Sequence, residues 1–408
     1  MTETFPLLIS GLALFLALAA FPGLGSVRLT ACLVALGSGQ IYIAVLALLV
    51  YLVISNDWRL RLPVSLLAVL TAVVLLVGIA TTTLIAPIGL RTYAELAQLA
   101  LYLVFAVLLL NHFKSGLDIM QFLRCATVAS VVVAAAALVS VAFGLQAPPS
   151  IFLGRGSNEG AVFLSLTGVV PAAALFVRSR NPLYVAAMLL MMYAENVATS
   201  RGALVASALT LLFAFFFVFR NWFIRALLII AGLVVVAGSV PMLISVYQGN
   251  LNFSAKERLA LAQYGYWLWE QRPVIGWGWG ATTDLAMRAP TTALSYPHFH
   301  NTYVQLMVES GAVGIAIIAI YISASLRQIV VCALNIRQPA VTMLAASVFA
   351  ALTISGFFDA MLYGADRALQ VVILLCLSAR ATALAHAPVV AAPSPEKRLL
   401  QLAPTTGL

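Results

Sequence analysis

Charge is what this sequence has least of. Only 9% of its 408 residues are Asp, Glu, Lys or Arg, and 63% are hydrophobic. A soluble domain carries roughly 25% charged and 45–50% apolar residues, so the composition excludes a soluble globular protein. The mean hydropathy of +1.06 indicates a chain that is mostly surrounded by membrane lipids. The net charge of +9 is therefore no sign of nucleic-acid binding, and we predict no nucleic-acid partner.

Cysteine and histidine are also scarce, with four of each. The cysteines fall inside apolar runs and at no paired spacing: Cys32, Cys125, Cys332 and Cys376. This pattern excludes a disulfide framework and a cysteine metal site, and it predicts small core residues. Two of the four histidines, His298 and His300, stand two positions apart in a polar segment. That segment is the first candidate for chemistry.

Apolar runs of roughly the 20 residues that cross a bilayer recur along the chain. We predict an all-α, polytopic membrane protein with about twelve transmembrane helices and one large periplasmic loop containing short helices. The second span is long, and Gly37-Ser38-Gly39 is able to break it into two pieces. The predicted spans are 5–22, 29–54, 63–86, 92–110, 121–144, 160–177, 182–198, 202–219, 222–245, 302–325, 340–357 and 367–386.

The spans divide the chain into four regions. Residues 1–245 hold nine transmembrane helices, 246–301 form the large loop, 302–386 hold three more helices, and 387–408 form a tail. With the N-terminus in the cytoplasm, most of the 22 Lys and Arg residues fall in cytoplasmic loops. The positive-inside rule then places both termini in the cytoplasm and the 246–301 loop on the opposite side.

Several cations nevertheless lie on the outer side. They are either snorkelling anchors or parts of a basin for an anionic group. Guanidinium suits the second role, because its planar fork binds phosphate through two hydrogen bonds and stays charged. Five arginines stand singly in short loops, and four more cations lie in the large loop: Arg28, Arg91, Arg155, Arg201 and Arg367, then Lys256, Arg258, Arg272 and Arg288.

The large loop contains a helix followed by a glycine-rich stretch. Ser254 and Glu257 have the spacing of a capping box, which predicts a helix from Ser254 as N-cap to about Glu270. Its aromatic residues suit the membrane interface. The following stretch, 272–280, alternates Gly and Trp, which prevents a regular helix and allows close approach of the backbone. It matches neither common phosphate-binding glycine fingerprint.

The loop ends in Tyr296-Pro297-His298-Phe299-His300-Asn301-Thr302-Tyr303. Asn301 precedes an apolar run and is a candidate N-cap, which places His300 at the positive end of a helix. A free imidazole has a pKa of about 6.5 and accepts a proton at neutral pH. His300 is therefore the candidate base and His298 a bystander. We predict no metal site, because no nearby cysteine or paired carboxylates complete a ligand set.

Five carboxylates lie inside predicted spans or at their ends: Glu95, Glu159, Glu195, Glu309 and Asp359. Charged groups at membrane depth are costly, and they are usually paired or functional. Glu195 and Glu309 are candidates to orient an outer arginine or the histidine, or to form structural ion pairs.

With these residues in view, the chain resembles the bacterial O-antigen ligase family. That family shares a superfamily with O-antigen polymerases and bacterial protein O-oligosaccharyltransferases. Its motif is His, then Asn/Ser/Gln, nine residues, Gly, two residues, and Gly, Thr or Tyr, which His300-Asn301, Gly311 and Gly314 match completely. Thr199-Ser200-Arg201-Gly202, the Arg-Pro-x-x-Gly-x-Gly stretch at 272–278 and the overall layout are also similar. At the level of individual residues, the resemblance covers only about 199–314.

The resemblance implies a metal- and ATP-independent, inverting glycosyltransferase without a cofactor, in the bacterial inner membrane and with a periplasmic active site. The donor would be a glycan on undecaprenyl pyrophosphate, and the acceptor a sugar hydroxyl of lipid A–core. His300 would be the base, with Arg201 and Arg288 as the first candidates to bind the pyrophosphate. The further substrate-binding candidates are Asn301, Arg258, Arg272, Arg155, His298 and Glu309.

Two alternatives stay open. A polymerase that extends the glycan on its carrier, or a transferase acting on protein, belongs to the same superfamily, although the short tail disfavours the protein-directed enzymes. A transporter or flippase belongs to a different class, since about twelve spans and intramembrane carboxylates are common in transporters. The concentration of polar residues on one side argues against it, as does the lack of a matching pair of interrupted spans.

Overall fold

The computed structural model describes residues 25–37, 41–55, 89–145, 157–247, 253–286, 298–334, 338–359, 361–362 and 365–386. Within these ranges the chain forms helices and no strand, as predicted for an all-α protein. In chain order the helices are α1 (Gly25–Gly37), α2 (Ile41–Ser55), α3 (Gly89–His112), α4 (Gly116–Ala142), α5 (Ser157–Phe163), α6 (Val170–Ser179), α7 (Leu183–Val197), α8 (Arg201–Val218), α9 (Trp222–Tyr247), α10 (Phe253–Gln271), α11 (Thr282–Ala286), α12 (Thr302–Leu334), α13 (Pro339–Phe358) and α14 (Ala365–His386).

Six helices of the described part of the chain are long and apolar enough to cross a membrane. They are α4, the continuous helix through α5 and α6, α8, α12, α13 and α14. Shorter apolar helices lie within α3, α7 and α9. Every span predicted from residue 92 onward therefore coincides with a helix. The total of about twelve stays a prediction, and the predicted spans 5–22 and 63–86, like the tail 387–408, lie outside the described residues.

Of the two possibilities for 29–54, one long span or two short pieces, the structure confirms the second. The chain forms two helices there, since α1 ends at Gly37 and α2 begins at Ile41. With 13 and 15 residues, neither reaches the roughly 20 residues that a full crossing requires. Residues 38–40, which separate the two helices in the sequence, lie outside the described residues. The two helices pack against each other.

The core of the bundle is the continuous helix through α5 and α6, whose residues 160–177 are all buried. A π-helical segment, Leu164–Val169, lies in its middle. Close packing depends on small residues, as is usual between membrane helices. A Cβ on Gly168 would lie 2.4 Å from the Met191 sulfur and 2.6 Å from the Ser130 Cβ. The four cysteines are free and buried, in agreement with their predicted role as core residues.

Helix α10 confirms the helix predicted in the large loop. It begins at Phe253, so Ser254 lies inside it and the predicted N-cap position is wrong by at least one residue. Tyr266 and Trp267 are both 52% exposed, which suits a helix at the membrane interface. On its other face, Leu261 and Leu268 pack with Phe299, so α10 supports the histidine segment.

Helix α12 is broken at Gly311, whose φ of 54° and ψ of −126° are not helical. The break divides α12 into residues 302–310 and 312–334. At about 1.5 Å per residue, the second part is long enough to cross a core of about 30 Å. Its exposed residues Ile315, Ile320 and Leu326 form an apolar surface suited to lipid. The first part, which follows the histidines, is separated from that lipid-facing helix by the break.

The glycine-rich stretch 272–280 fills the break in α12. Two carbonyl groups of α12 next to the break accept hydrogen bonds from backbone N–H groups of the stretch. One backbone N–H group of α12 donates to a carbonyl group of the stretch. Three backbone bonds join them: Trp277 N to Val308 O (2.9 Å), Gly278 N to Glu309 O (2.8 Å) and Ala312 N to Val274 O (3.0 Å). The predicted close approach of this backbone is thereby confirmed.

We expect Gly311→Ala to destabilise the protein. The added Cβ would lie 2.6 Å from the Val274 carbonyl carbon and oxygen, and φ at Gly311 is unfavourable for any other residue. Positive φ alone costs roughly 1–3 kcal/mol, so the thermal unfolding midpoint in detergent should fall by several degrees. Gly116→Ala is the matched control, because a Cβ there meets nothing within 4 Å. Equal midpoints for the two variants would contradict this account of the break.

Candidate active site

The histidine segment is anchored by Phe299, which is fully buried under α10. His298 and His300 flank this anchor, and their ring centroids lie 4.1 Å apart. His300 has a φ of 50°, a left-handed conformation that residues other than glycine rarely adopt. Such conformations persist where the surroundings enforce them, and they cluster at functional sites.

Asn301 is the N-cap of α12, as predicted. Its Oδ1 accepts hydrogen bonds from the backbone N–H groups of Tyr303 (2.9 Å) and Val304 (3.0 Å). The cap satisfies two donors of the first turn. It also places His300 immediately before the positive end of the helix. The side-chain oxygen of Asn301, a predicted substrate ligand, is engaged in this capping.

The start of α12 is joined to the turn where α13 ends, formed by residues 357–359 and 361. The Thr302 hydroxyl donates to the Asp359 carbonyl oxygen at 2.9 Å, and it accepts from the Met361 N–H at 2.7 Å. The Asn301 amide nitrogen lies 3.4 Å from the Phe357 carbonyl oxygen. Two segments that are far apart in the sequence therefore meet at one fixed position.

Asp359 is the charged group at the centre of this turn. Its Oδ1 lies 3.5 Å from His298 Nε2 and 3.6 Å from His300 Nδ1, and its Oδ2 lies 2.7 Å from Arg367 Nη1. Burial by itself would raise the pKa of Asp359. The Arg367 guanidinium and the two imidazoles outweigh burial and hold that pKa well below its usual range. Asp359 is therefore an ionised carboxylate beside the candidate base.

His298 also lies in this cluster, and its predicted part, as a bystander of the base or as a substrate-binding residue, stays a prediction. It is 8% exposed, and burial lowers its pKa, although Asp359 acts in the opposite direction. A lowered pKa favours the neutral imidazole. The positively charged form is further opposed by the neighbouring His300 and by Arg367.

Arg367 was a candidate for an open cationic basin, but the structure buries it to 3% exposure. Its Nη2 also lies 3.3 Å from Glu159 Oε1. Arg367 therefore lies between two carboxylates, and its role here is to hold Asp359 rather than to face an incoming anion. The sequence did not reveal this arrangement, because Glu159, Asp359 and Arg367 belong to three different helices or their ends.

Two other predicted arginines lie beside the same turn. The Nη1 of Arg258 donates to the Phe358 carbonyl oxygen at 3.2 Å. Arg201 is exposed at the first residue of α8. Its neighbour Gly202 packs so closely that a Cβ there would lie 2.8 Å from the Phe358 Cβ. The fold thus brings the Arg201 and Arg258 positions to the turn that carries Asp359.

The remaining predicted residues have other surroundings. Arg272 is exposed and stacks over the Trp277 ring at 4.2 Å. Glu309 is buried and accepts hydrogen bonds from the Thr282 hydroxyl and from Gln305 Nε2, so it joins α11 to α12. Glu195 accepts from the Ser207 hydroxyl at 2.9 Å inside the bundle. Arg155 and Arg288 lie outside the described residues, as do the side chains of Arg28 and Arg91.

His298, His300 and Asp359 each offer one ligand atom, and these atoms lie within 4.8 Å of one another. The sequence showed no nearby cysteine or paired carboxylates to complete a ligand set, but the fold supplies one carboxylate, Asp359, from a distant part of the chain. A divalent cation would have to compete with Arg367, whose guanidinium already binds the carboxylate at 2.7 Å. Two cations so close in a buried site repel strongly, so the cluster favours an ion-paired histidine over a metal centre.

Residues 183–319 match the family model described as O-Antigen ligase. This segment, about a third of the chain, is similar to the O-antigen ligase family. The match confirms the resemblance, and it includes Arg201, the glycine-rich stretch and the His300-Asn301 motif with its two glycines. No curated protein matches the chain. The match supports an enzyme of the ligase and polymerase superfamily, which acts on lipid-linked glycans in general.

The role of Asn301 as a helix cap gives a prediction. Asn301→Ala should lower the free energy of unfolding by about 1 kcal/mol, because two N–H groups of α12 lose their acceptor. Asn301→Ser should stay close to the parent protein, since serine caps a helix about as well. Thermal unfolding in detergent measures both variants. Equal losses in both would show that Asn301 stabilises the protein by a route other than capping.

Proposed function

We propose that this protein is an O-antigen ligase at the periplasmic face of the bacterial inner membrane. It transfers a glycan from undecaprenyl pyrophosphate to a sugar hydroxyl of lipid A–core. The observation that carries the proposal is the position of the motif histidine, His300, beside the ionised Asp359 and within the segment similar to the O-antigen ligase family. Arg201 and Arg258 lie at the same turn, which supplies positive charge where an anionic donor would be bound.

In this mechanism the acceptor hydroxyl attacks the anomeric carbon of the donor glycan. A new carbon–oxygen bond forms, and the bond from that carbon to the pyrophosphate oxygen breaks. The hydroxyl proton passes to His300, and the electron pair of the broken bond leaves with undecaprenyl pyrophosphate. Attack opposite the leaving group inverts the anomeric configuration. A positioned base of this kind contributes about 10²–10⁴-fold.

The arginines stabilise the charge that develops on the leaving pyrophosphate. Arg201 is exposed, and Arg258 gives one of its five N–H donors to Phe358, which leaves donors for a phosphate oxygen. Arg288 stays a candidate for the same role. Arg155, Arg272, His298, Asn301 and Glu309 stay proposed as parts of the wider substrate site.

Pyrophosphate is a good leaving group, so the reaction requires no ATP. We expect glycan transfer in a reconstitution of the purified protein with undecaprenyl-pyrophosphate-linked glycan and lipid A–core, without nucleotide and with EDTA. Transfer that EDTA abolishes and Zn²⁺ restores would overturn the metal-independent mechanism. Longer glycans still attached to the carrier would make the protein a polymerase, and the absence of any glycan product would favour a transporter.

His300→Ala should lower turnover by about 10²–10⁴-fold in that assay, because the base is removed. His386→Ala is the matched control, since His386 is exposed at the end of α14 and remote in sequence from the motif. His300→Gln separates two roles, because glutamine keeps a hydrogen-bond donor but is no base. Near-normal turnover in His300→Gln would show that His300 binds phosphate and does not abstract the proton.

A further inference from the structure

Four ionisable side chains form a row through the site. Glu159 Oε1 lies 3.3 Å from Arg367 Nη2, Arg367 Nη1 lies 2.7 Å from Asp359 Oδ2, and Asp359 Oδ1 lies 3.6 Å from His300 Nδ1. The first three side chains carry charges of alternating sign, negative, positive and negative, and His300 stands at the end of the row. Asp359, Arg367 and Glu159 all lie outside the matched segment 183–319.

We propose that Asp359 is a positioning residue that holds His300 with its proton on Nδ1 and its lone pair on Nε2. The inference rests on the proposed function, in which His300 is the base. We call Asp359, Arg367 and Glu159 together the histidine device. In it, Arg367 binds the Asp359 carboxylate and offsets its charge, and Glu159 binds Arg367. Asp359 acts through His300 and need not touch a substrate.

The direction of the imidazole carries the first step. His300 presents Nδ1 to the carboxylate, and an ionised carboxylate only accepts hydrogen bonds. Attraction therefore requires the proton on Nδ1, which leaves Nε2 as the basic nitrogen of a neutral ring.

The fixation of the carboxylate carries the second step. Asp359 ends α13 in an extended conformation, its N–H bonds to Ser355 O at 2.8 Å, and its own carbonyl accepts from Thr302. The backbone is thus held on both sides, and the Oδ2 atom is held by Arg367. One oxygen, Oδ1, remains directed at the imidazoles. A carboxylate fixed in this way costs little reorganisation when the neighbouring ring becomes charged.

The charges of the row carry the third step. Without a proton on His300, the row holds two carboxylates and one guanidinium. Proton uptake adds a positive charge next to Asp359, so the row then alternates from end to end. Glu159 offsets part of the Arg367 charge, which would otherwise repel the imidazolium. The row therefore carries a net negative charge beside the ring that takes up the proton in the proposed reaction.

His298 shares the same carboxylate oxygen but has a different part in the device. Its Nε2 lies 3.5 Å from Asp359 Oδ1, and its ring lies against that of His300. Two adjacent imidazolium ions would repel each other at this distance. The more buried His298 stays neutral and packs beside the ring that takes up the proton. Its position limits the rotation of His300.

The device predicts graded kinetic effects. Asp359→Asn should lower kcat by at least tenfold, but by no more than His300→Ala, because a positioning residue acts only through the base. The KM for the lipid-linked donor should change little. Glu159→Gln should lower kcat less than Asp359→Asn, and Asp359→Glu should recover part of the loss. A raised donor KM with unchanged kcat in Asp359→Asn would instead indicate a role in donor binding and overturn the proposal.

The tautomer of His300 can be measured directly by ¹⁵N NMR, without any transfer reaction. The protein, labelled with ¹⁵N-histidine, is studied in lipid, and it has only four histidines. The signals that are lost in His300→Gln are assigned to His300. We expect a protonated Nδ1 and an unprotonated Nε2 at His300 near pH 7.5, and a shift towards protonated Nε2 in Asp359→Asn. Glu195→Gln is the matched control, because it changes another buried carboxyl to an amide, beside Ser207.

The outcomes separate this proposal from the proposed function. Protonated Nε2 at His300 in the parent protein would overturn the positioning role, whether or not the protein transfers glycan and whether or not Asp359→Asn folds. An unchanged tautomer in a folded Asp359→Asn protein would overturn it as well. The expected tautomer together with an inactive reconstitution would keep the histidine device and reject the ligase reaction.

Discussion

A buried, ionised carboxylate is the constraint on which the rest of the site depends. Moving such a charge out of water costs several kcal/mol, and only a close counter-charge offsets that cost. Asp359 has this counter-charge in Arg367, at 2.7 Å. The backbone of the same turn accepts hydrogen bonds from Thr302 and Arg258. The ion pair therefore fixes α14 to the end of α13, and that end collects the histidine segment and the arginine positions around it.

The family motif combines three kinds of physical role. His300 supplies a titratable ring, and Asn301 satisfies the first N–H groups of α12. Gly311 has no chemistry of its own: it lets the helix break and lets the loop backbone approach where a Cβ would clash. Gly314 lets the two parts of α12 approach each other across the break, since its Cβ would lie 2.0 Å from the Leu306 carbonyl oxygen. Gly311 thus lets the loop pack against α12, and Gly314 lets the helix pack on itself next to the segment that carries the histidine.

The sequence predicted what depends on nearby residues. Hydropathy located the helices, and the residue preceding α12 was recognised as a cap because capping is local. The partners of His300 were not predicted, since Asp359 reaches it only through the packing of α13 against α12. Arg367 was left as either a snorkelling anchor or part of a substrate basin, because a lone arginine in a loop carries no sign of its buried partners. A long-range ion pair leaves a weak trace in one sequence, namely an isolated acid and an isolated base near the ends of neighbouring spans.

Because some arginines are paired inside the protein, the net charge of +9 overstates the positive charge that an anionic donor would meet. Arg367 is desolvated and lies between two carboxylates, so its charge is largely compensated within the protein. Drawing it towards a pyrophosphate would leave Asp359 buried without its counter-charge, at a cost of about 3–5 kcal/mol. An exposed guanidinium such as that of Arg201 has no such penalty. In the mechanism proposed above, Arg367 therefore holds Asp359, and Arg201 is the arginine proposed to bind the pyrophosphate.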